Sequence, residues 1–310
     1  MAIDLKPLNE QVIVITGASS GIGLATALRA ADRGAKLVLT ARSKNTLSEI
    51  IHKLRAQGDD AIFIPCDVAV REDVQRVAQA AIDYFGRIDT WVNNAGISIY
   101  SRLDEVSEAD ARRLFDTNFW GVFNGSLVAL PFLKRQGGAL INIGSEVSEA
   151  ALPLQGIYTA SKHAVKGFTD ALRIEIEEVD QAPVSITLIQ PTAVDTPFPE
   201  HARNYMDKEP KLPDPKIDPA DVAEAILDAA VNPTRIKKVG TMSKINTAVA
   251  KIAPSIGDRM AAKYTSKQQY DEPPRNPAGS LHDSCESMHL AGRTSGTGGR
   301  EPPSKSKFRR

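Results

Sequence analysis

A phenol and an ammonium stand four positions apart in Tyr158-Thr159-Ala160-Ser161-Lys162. On a helix that spacing puts both side chains on one face. An unperturbed phenol titrates near pH 10, so proton exchange at neutral pH calls for a nearby cation that favours the phenolate, and Lys162 can supply it. Ser145 lies thirteen residues upstream of Tyr158, at the expected carboxyl end of a strand, where ligands bind in open α/β sheets. The phenol and the ammonium suit acid–base work at neutral pH.

A second group of residues suits phosphate. Thr16-Gly17-Ala18-Ser19-Ser20-Gly21-Ile22-Gly23 follows an apolar run and opens a helical pattern. Its glycines allow a tight turn, a close approach of backbone to a pyrophosphate and close packing of helix on strand. The helix start adds unpaired N–H groups and a positive dipole end. The next strand ends in Thr40-Ala41-Arg42, with no acid to meet a ribose 2′-hydroxyl. A guanidinium there can pair with a 2′-phosphate, so NADP is the expected cofactor and NAD the weaker alternative. Asp67-Val68, after the third strand, stands where a side chain could meet the adenine; an aspartate in such a turn could equally be a cap.

The elements that must hold these groups recur along the chain. Apolar runs at Val12 to Ile15, Leu37 to Leu39, Ala61 to Ile64, Ile88 to Val92, Ala139 to Ile143 and Val184 to Ile189 alternate with amphipathic helical stretches. That rhythm predicts βαβ units: a three-layer α/β/α Rossmann fold with a doubly wound parallel sheet. The folded domain is expected over 8–265. The stretch Thr192 to Lys216, with five prolines, reads as a lid or binding loop. From Ser266 to Arg310, 17 of 45 residues are Gly, Pro or Ser and only 8 are apolar, which predicts a disordered tail.

With the motifs in this order and spacing, the sequence resembles the short-chain dehydrogenase/reductase family in its short single-domain form, over roughly Leu8 to Gly240. The resemblance implies that Tyr158 exchanges a proton with the substrate oxygen and that Ser145 orients that oxygen. It implies that Lys162 binds the nicotinamide ribose and lowers the tyrosine pKa, and that Asn118 holds a water in a proton relay. Asn94, Ala95 and Gly96, in Asn93-Asn94-Ala95-Gly96, would support the cofactor pocket, as would Pro191, Val194 and Thr196. One departure stands out: Thr192 follows Pro191 where the family usually has glycine. The expected activity is hydride transfer between NADP and a carbonyl or secondary alcohol, with a 3-oxoacyl thioester reductase or a non-catalytic NADP-sensing protein as alternatives. An apolar small-molecule substrate is expected, because Ala150 to Leu154 and Val194, Phe198 and Tyr205 would wall the site. The chain is expected to form a homodimer or homotetramer.

Composition narrows the rest. The 38 basic and 38 acidic residues cancel, so no bulk field draws the protein to nucleic acid or an anionic membrane. No apolar run reaches the roughly 18 residues that span a bilayer. Cys66 and Cys285 are the only cysteines, and neither they nor the histidines show metal-ligand spacing. A cytoplasmic, metal-free protein is expected. The stripe Ile245, Val249, Ile252, Ile256 and Met260, broken by Pro254, reads as a face docked on the body or on another subunit. The basic end Lys305, Lys307, Arg309 and Arg310 reads as solvated.

Overall fold

In the computed structural model, which describes residues 3–284 and 288–292, the predicted rhythm becomes nine α-helices and nine strands among those residues. The chain runs β1 (Val12–Thr16), α1 (Gly21–Asp32), β2 (Lys36–Ala41), α2 (Lys44–Ala56), β3 (Ala61–Pro65), α3 (Arg71–Phe85) and β4 (Thr90–Asn93). It continues through β5 (Ile99–Tyr100), α4 (Glu108–Phe115), α5 (Gly121–Gln136), β6 (Gly138–Ile143), α6 (Gly156–Arg173) and β7 (Val184–Pro191). Last come β8 (Arg203–Asn204), α7 (Pro219–Ala229), β9 (Ile236–Val239), α8 (Thr241–Ile252) and α9 (Pro254–Tyr264). Seven strands form one parallel sheet in the order β3-β2-β1-β4-β6-β7-β9. Helices cover both faces, giving the α/β/α Rossmann architecture.

β1 pairs with β2 on one side, Val14 opposite Val38, and with β4 on the other, Val14 opposite Trp91. The chain winds outward in both directions from this point, so the carboxyl ends of β1 and β4 flank the crevice where open α/β sheets bind ligands. Two core layers enclose the sheet. One packs Ile13, Ile15, Leu37 and Leu39 against α1, α2 and α7; the other packs Val12, Val14, Val38 and Trp91 against α3 and α5. The alternation follows from the two-residue period of a strand.

The strand β9 has no counterpart among the expected runs. Its sequence, Ile-Lys-Lys-Val, is half-buried at the sheet edge, where lysines are tolerated and apolar patterning fades.

The expectation of a disordered tail from Ser266 fails for residues 266–284 and 288–292. Gln268 is fully buried and pairs with Gln155 at 2.8 Å, and Leu281 is fully buried against Ile97, Ile99 and Leu114. A few anchors and main-chain hydrogen bonds hold this segment, a pattern that average composition does not reveal. Cys285 and the basic end from Lys305 to Arg310 lie outside the described residues.

Candidate active site

The glycine loop is shaped by its own backbone. Gly17 and Gly21 adopt φ of +65° and +52°, a region that L side chains rarely enter. At Gly23 a Cβ would press on the Gly17 carbonyl and lie 2.6 Å from Asn94 Nδ2. Asn94 donates to the carbonyls of Thr16 (2.8 Å) and Gly17 (3.1 Å), while Thr16 Oγ1 accepts from the N–H groups of Asn94 (2.9 Å) and Ala95 (3.0 Å). The end of β4 is thereby tied to the loop after β1. This cradle and the N-terminus of α1 fit a dinucleotide pyrophosphate.

The acid–base residues meet where β6 and α6 face the same crevice. Ser145 follows β6 and caps a short 3₁₀ turn, Glu146–Ser148, accepting from Val147 N–H at 3.2 Å. Tyr158 and Lys162 project from one face of α6, as their spacing predicts. Ser145 and Tyr158 line the same cavity. Burial pushes the phenol up to about 12; the Ser145 side chain opposes that rise and the charge of Glu146 adds to it. Lys162 is buried, its own pKa brought down to about 8 by loss of water, and its Nζ donates to the Ile143 carbonyl at 2.8 Å. The ammonium stands 5.7 Å from the Tyr158 ring centroid. In this structure the tyrosine is therefore raised, whereas the family resemblance implied a lowered value.

Asn118 stands behind these groups, fully buried in a π-helical turn, Asp116–Trp120. Its Oδ1 accepts from Ile97 N–H (2.8 Å), and its Nδ2 donates to the Ile97 carbonyl (2.9 Å) and to Ser161 Oγ (3.1 Å). Its amide is engaged by the fold, and its Oδ1 and the Lys162 Nζ both lie beside Gly96, where a Cβ would be in ordinary contact with each.

One cavity, of about 250 Å³, brings together Gly17, Ser19, Ser20, Gly21, Ile22, Arg42, Asp67, Val68, Asn94, Ala95 and Gly96 with Ser145, Tyr158, Lys162, Pro191, Val194 and Thr196. Thr16, Gly23 and Asn118 do not line it; they brace the residues that do. Asp67 borders the cavity and serves as a cap: its Oδ1 accepts from Ala69 N–H at 3.1 Å, while its Oδ2 pairs with Arg113 at 2.5 Å. Arg42 also faces the cavity, but its Nη atoms donate to main-chain carbonyls of Ser280, Leu281 (3.2 Å) and His282 (3.2 Å).

A second cavity, of about 270 Å³, shares Glu146, Val147, Leu152, Thr192, Ala193 and Pro213 with the first. Ala150, Ala151, Met242, Val249, Met260 and Tyr264 make most of its wall apolar. The stripe on α8 and α9 thus divides: Val249 and Met260 line this chamber, while Ile252 is 84% exposed. Phe198 lies over Tyr158 with ring centroids 5.6 Å apart, as an apolar wall should. Tyr205 does not line either cavity; its hydroxyl donates to Asp110 at 2.7 Å.

A carboxyl, which counts against a wholly apolar substrate site, stands at the junction of the two cavities. Glu146 Oε1 accepts from Thr192 Oγ1 (3.1 Å) and Oε2 from Asn246 Nδ2 (2.9 Å), and burial raises its pKa above the usual carboxylate range. Thr192, the departure from the family pattern, is accommodated because Gly240 leaves room: a Cβ there would lie 2.5 Å from the Thr192 methyl. The extra hydroxyl is the signal that could have pointed to a polar partner.

A family model described as short chain dehydrogenase matches residues 11–207. The chain belongs to the short-chain dehydrogenase/reductase family. An uncharacterized oxidoreductase of Bacillus subtilis, YxnA, is 44% identical over 299 residues, covering 95% of this chain and 84% of the relative. A family structure from Burkholderia phymatum in complex with NAD superposes with a TM-score of 0.73 at 28% identity, covering 81% of this chain and 96% of that one. An alcohol dehydrogenase from Thermococcus sibiricus, complexed with 5-hydroxy-NADP, gives a TM-score of 0.65 at 32% identity over 74% of this chain and 94% of its own. The short-chain dehydrogenase/reductase described here is an NAD(P)-dependent oxidoreductase of carbonyl or alcohol substrates. Among the described residues, no helix is long and apolar enough to cross a membrane.

Proposed function

We propose that the protein interconverts an apolar ketone and its secondary alcohol with NADP, and that Tyr158 exchanges the proton at the substrate oxygen. The observation that carries this reading is the layout of the site: the glycine cradle and Ser145 with Tyr158 line one cavity, and an apolar chamber adjoins it through shared walls. When bound, the cofactor supplies or accepts the hydride.

The protein residues divide the remaining work. Ser145 and Tyr158 present two hydroxyls to one substrate oxygen, which orients it and gives its proton a short path. Lys162 holds a positive charge beside the phenol and so stabilises the phenolate left by proton donation. Asn118 fixes the turn that faces Lys162 across Gly96, a place from which a water could return the proton. Gly17, Gly21 and the start of α1 hold the pyrophosphate, and Arg42 answers a 2′-phosphate. Phe198, Leu152, Val249 and Met260 exclude water and favour an apolar substrate.

NADPH oxidation across a panel of alkyl ketones, steroids and small polyols, by wild type and Tyr158→Phe, tests the proposal. Wild type is expected to prefer the apolar ketones, and the variant to lose about 10²- to 10⁴-fold in turnover while still binding cofactor. Full turnover by Tyr158→Phe would reject the assignment.

A further inference from the structure

The two anion-facing positions of the cofactor groove both carry carbonyl oxygens from the same C-terminal segment. At the end of β2, Arg42 Nη1 donates to the carbonyls of Leu281 and His282, both at 3.2 Å, and Nη2 donates to that of Ser280. At the glycine loop, Gly21 N–H donates to the carbonyl of His289 at 2.9 Å. Ser280 and Ser284 border the cavity that holds Gly17, Arg42 and Asp67.

The segment is seated, not loosely laid over the groove. Gly279, at φ +58°, turns the chain where a Cβ would lie 2.5 Å from the Ala202 carbonyl carbon. Ser280 N–H then donates to His201 O at 2.8 Å. Leu281 is fully buried beside Ile97, Ile99 and Leu114, and its carbonyl also accepts from Arg113 Nε at 3.2 Å. His282 Nε2 meets Asp110 Oδ1 at 2.9 Å, and Met288 and Leu290 pack against the core layer that α1, α2 and α7 share with the sheet.

A segment that merely covered the groove would touch it with side chains. This one presents main-chain acceptors to a guanidinium, whose N–H groups are the donors that a phosphate needs. Burial lowers the pKa of this guanidinium and the nearby Arg113 lowers it further, while Asp67 and Asp283 oppose that fall. A ribose 2′-hydroxyl carries no charge and does not depend on freeing Arg42.

We propose that the described residues 279–284 and 288–292 compete with the cofactor 2′-phosphate for Arg42, so that this C-terminal segment sets the balance between NADP and NAD by holding NADP binding back. The proposal rests on the reading of Arg42 as the 2′-phosphate ligand. Contact of His289 with the glycine loop weighs on both cofactors alike; capture of Arg42 weighs on the phosphorylated one alone.

Dissociation constants for NADPH and NADH test it in the full-length protein, in full-length Leu281→Gly, which removes the buried anchor, and in a chain ended after Gly279. Each is measured with Arg42 and with Arg42→Ala. Unseating the segment is expected to raise the NADPH-to-NADH affinity ratio about 10-fold, the scale of one charge-assisted hydrogen bond, and Arg42→Ala to abolish that gain. If the ratio is unchanged while Arg42→Ala lowers it in every background, Arg42 remains the phosphate ligand and the competition is rejected. If Arg42→Ala changes nothing in any background, both readings fall. A loss of affinity for both cofactors on unseating would show a clamp and overturn the proposal; Leu281→Gly keeps the test intact should the shortened chain not fold.

Discussion

The Lys162 ammonium donates to the carbonyl oxygen of Ile143 across 2.8 Å. That carbonyl ends β6, so the strand that leads into Ser145 also holds the cation that serves Tyr158. The bond satisfies one buried N–H without neutralising the charge, and burial brings the lysine down to about 8.

Reductive turnover should therefore fall as the pH rises through about 8. Tyr158 keeps its proton up to about 12, so the donor persists, but the phenolate formed in the reaction loses its cationic neighbour once Lys162 deprotonates. Lys162→Arg, charged to above pH ~12, should move the fall upward. Single-turnover rates across the alkaline range check this, and a flat wild-type profile through pH ~10 would contradict it.

The same burial makes the charged lysine costly to the fold. Unfolded, the group holds its proton to about 10.5; folded, it gives the proton up at about 8, so between these values the unfolded state binds more protons and stability rises with pH. Below the folded value the full cost stands. Lys162→Met should raise stability at neutral pH by at most about 3 kcal/mol while abolishing turnover. Denaturant melts read the difference, and a destabilised variant would show that the bond to Ile143 outweighs the charge.

Glu146 carries the opposite sign. Its folded pKa is raised by burial, so its contribution is fully present below the unfolded value and is lost as pH rises through the folded one. Glu146→Gln cannot ionise and should flatten that part of the stability profile, its amide oxygen able to accept from Asn246 and its NH2 able to donate to the Thr192 hydroxyl. A pH series of thermal midpoints separates the two profiles; parallel curves for variant and wild type would count against an ionising, buried Glu146.

Gly23→Ala should weaken NADPH and NADH binding alike, because the new Cβ meets the Gly17 carbonyl and Asn94 Nδ2, which shape the cradle both cofactors share. Overpacking of this kind costs about 1–3 kcal/mol of stability. Calorimetric titration with each cofactor checks it, and a loss confined to NADPH would place the defect elsewhere.

Val249→Phe narrows the chamber between α8 and the reaction site. Long alkyl ketones should lose kcat/KM by about 10-fold or more, on the scale of one or two displaced methylenes, while short ketones keep theirs. Equal effects on both would mean that substrates do not enter this chamber.

What could be read from the sequence was set by local physics. A strand buried on both faces must be apolar, a pyrophosphate turn needs glycine at Gly17, Gly21 and Gly23, and a four-residue spacing aligns Tyr158 with Lys162 on any helix. These requirements act over a few residues, so β1, the cradle and the α6 pair were legible without coordinates. Contacts between distant segments were not. Glu146 meets Asn246 one hundred positions away, Arg42 meets carbonyls more than two hundred positions on, and Lys162 is held by Ile143 through the register of β6 with α6. Only tertiary packing decides such pairs, because carbonyl acceptors are present at every residue and carry no compositional mark. The C-terminal segment shows this most clearly: its composition predicts disorder, yet Leu281 and a few main-chain bonds seat it against the cofactor groove.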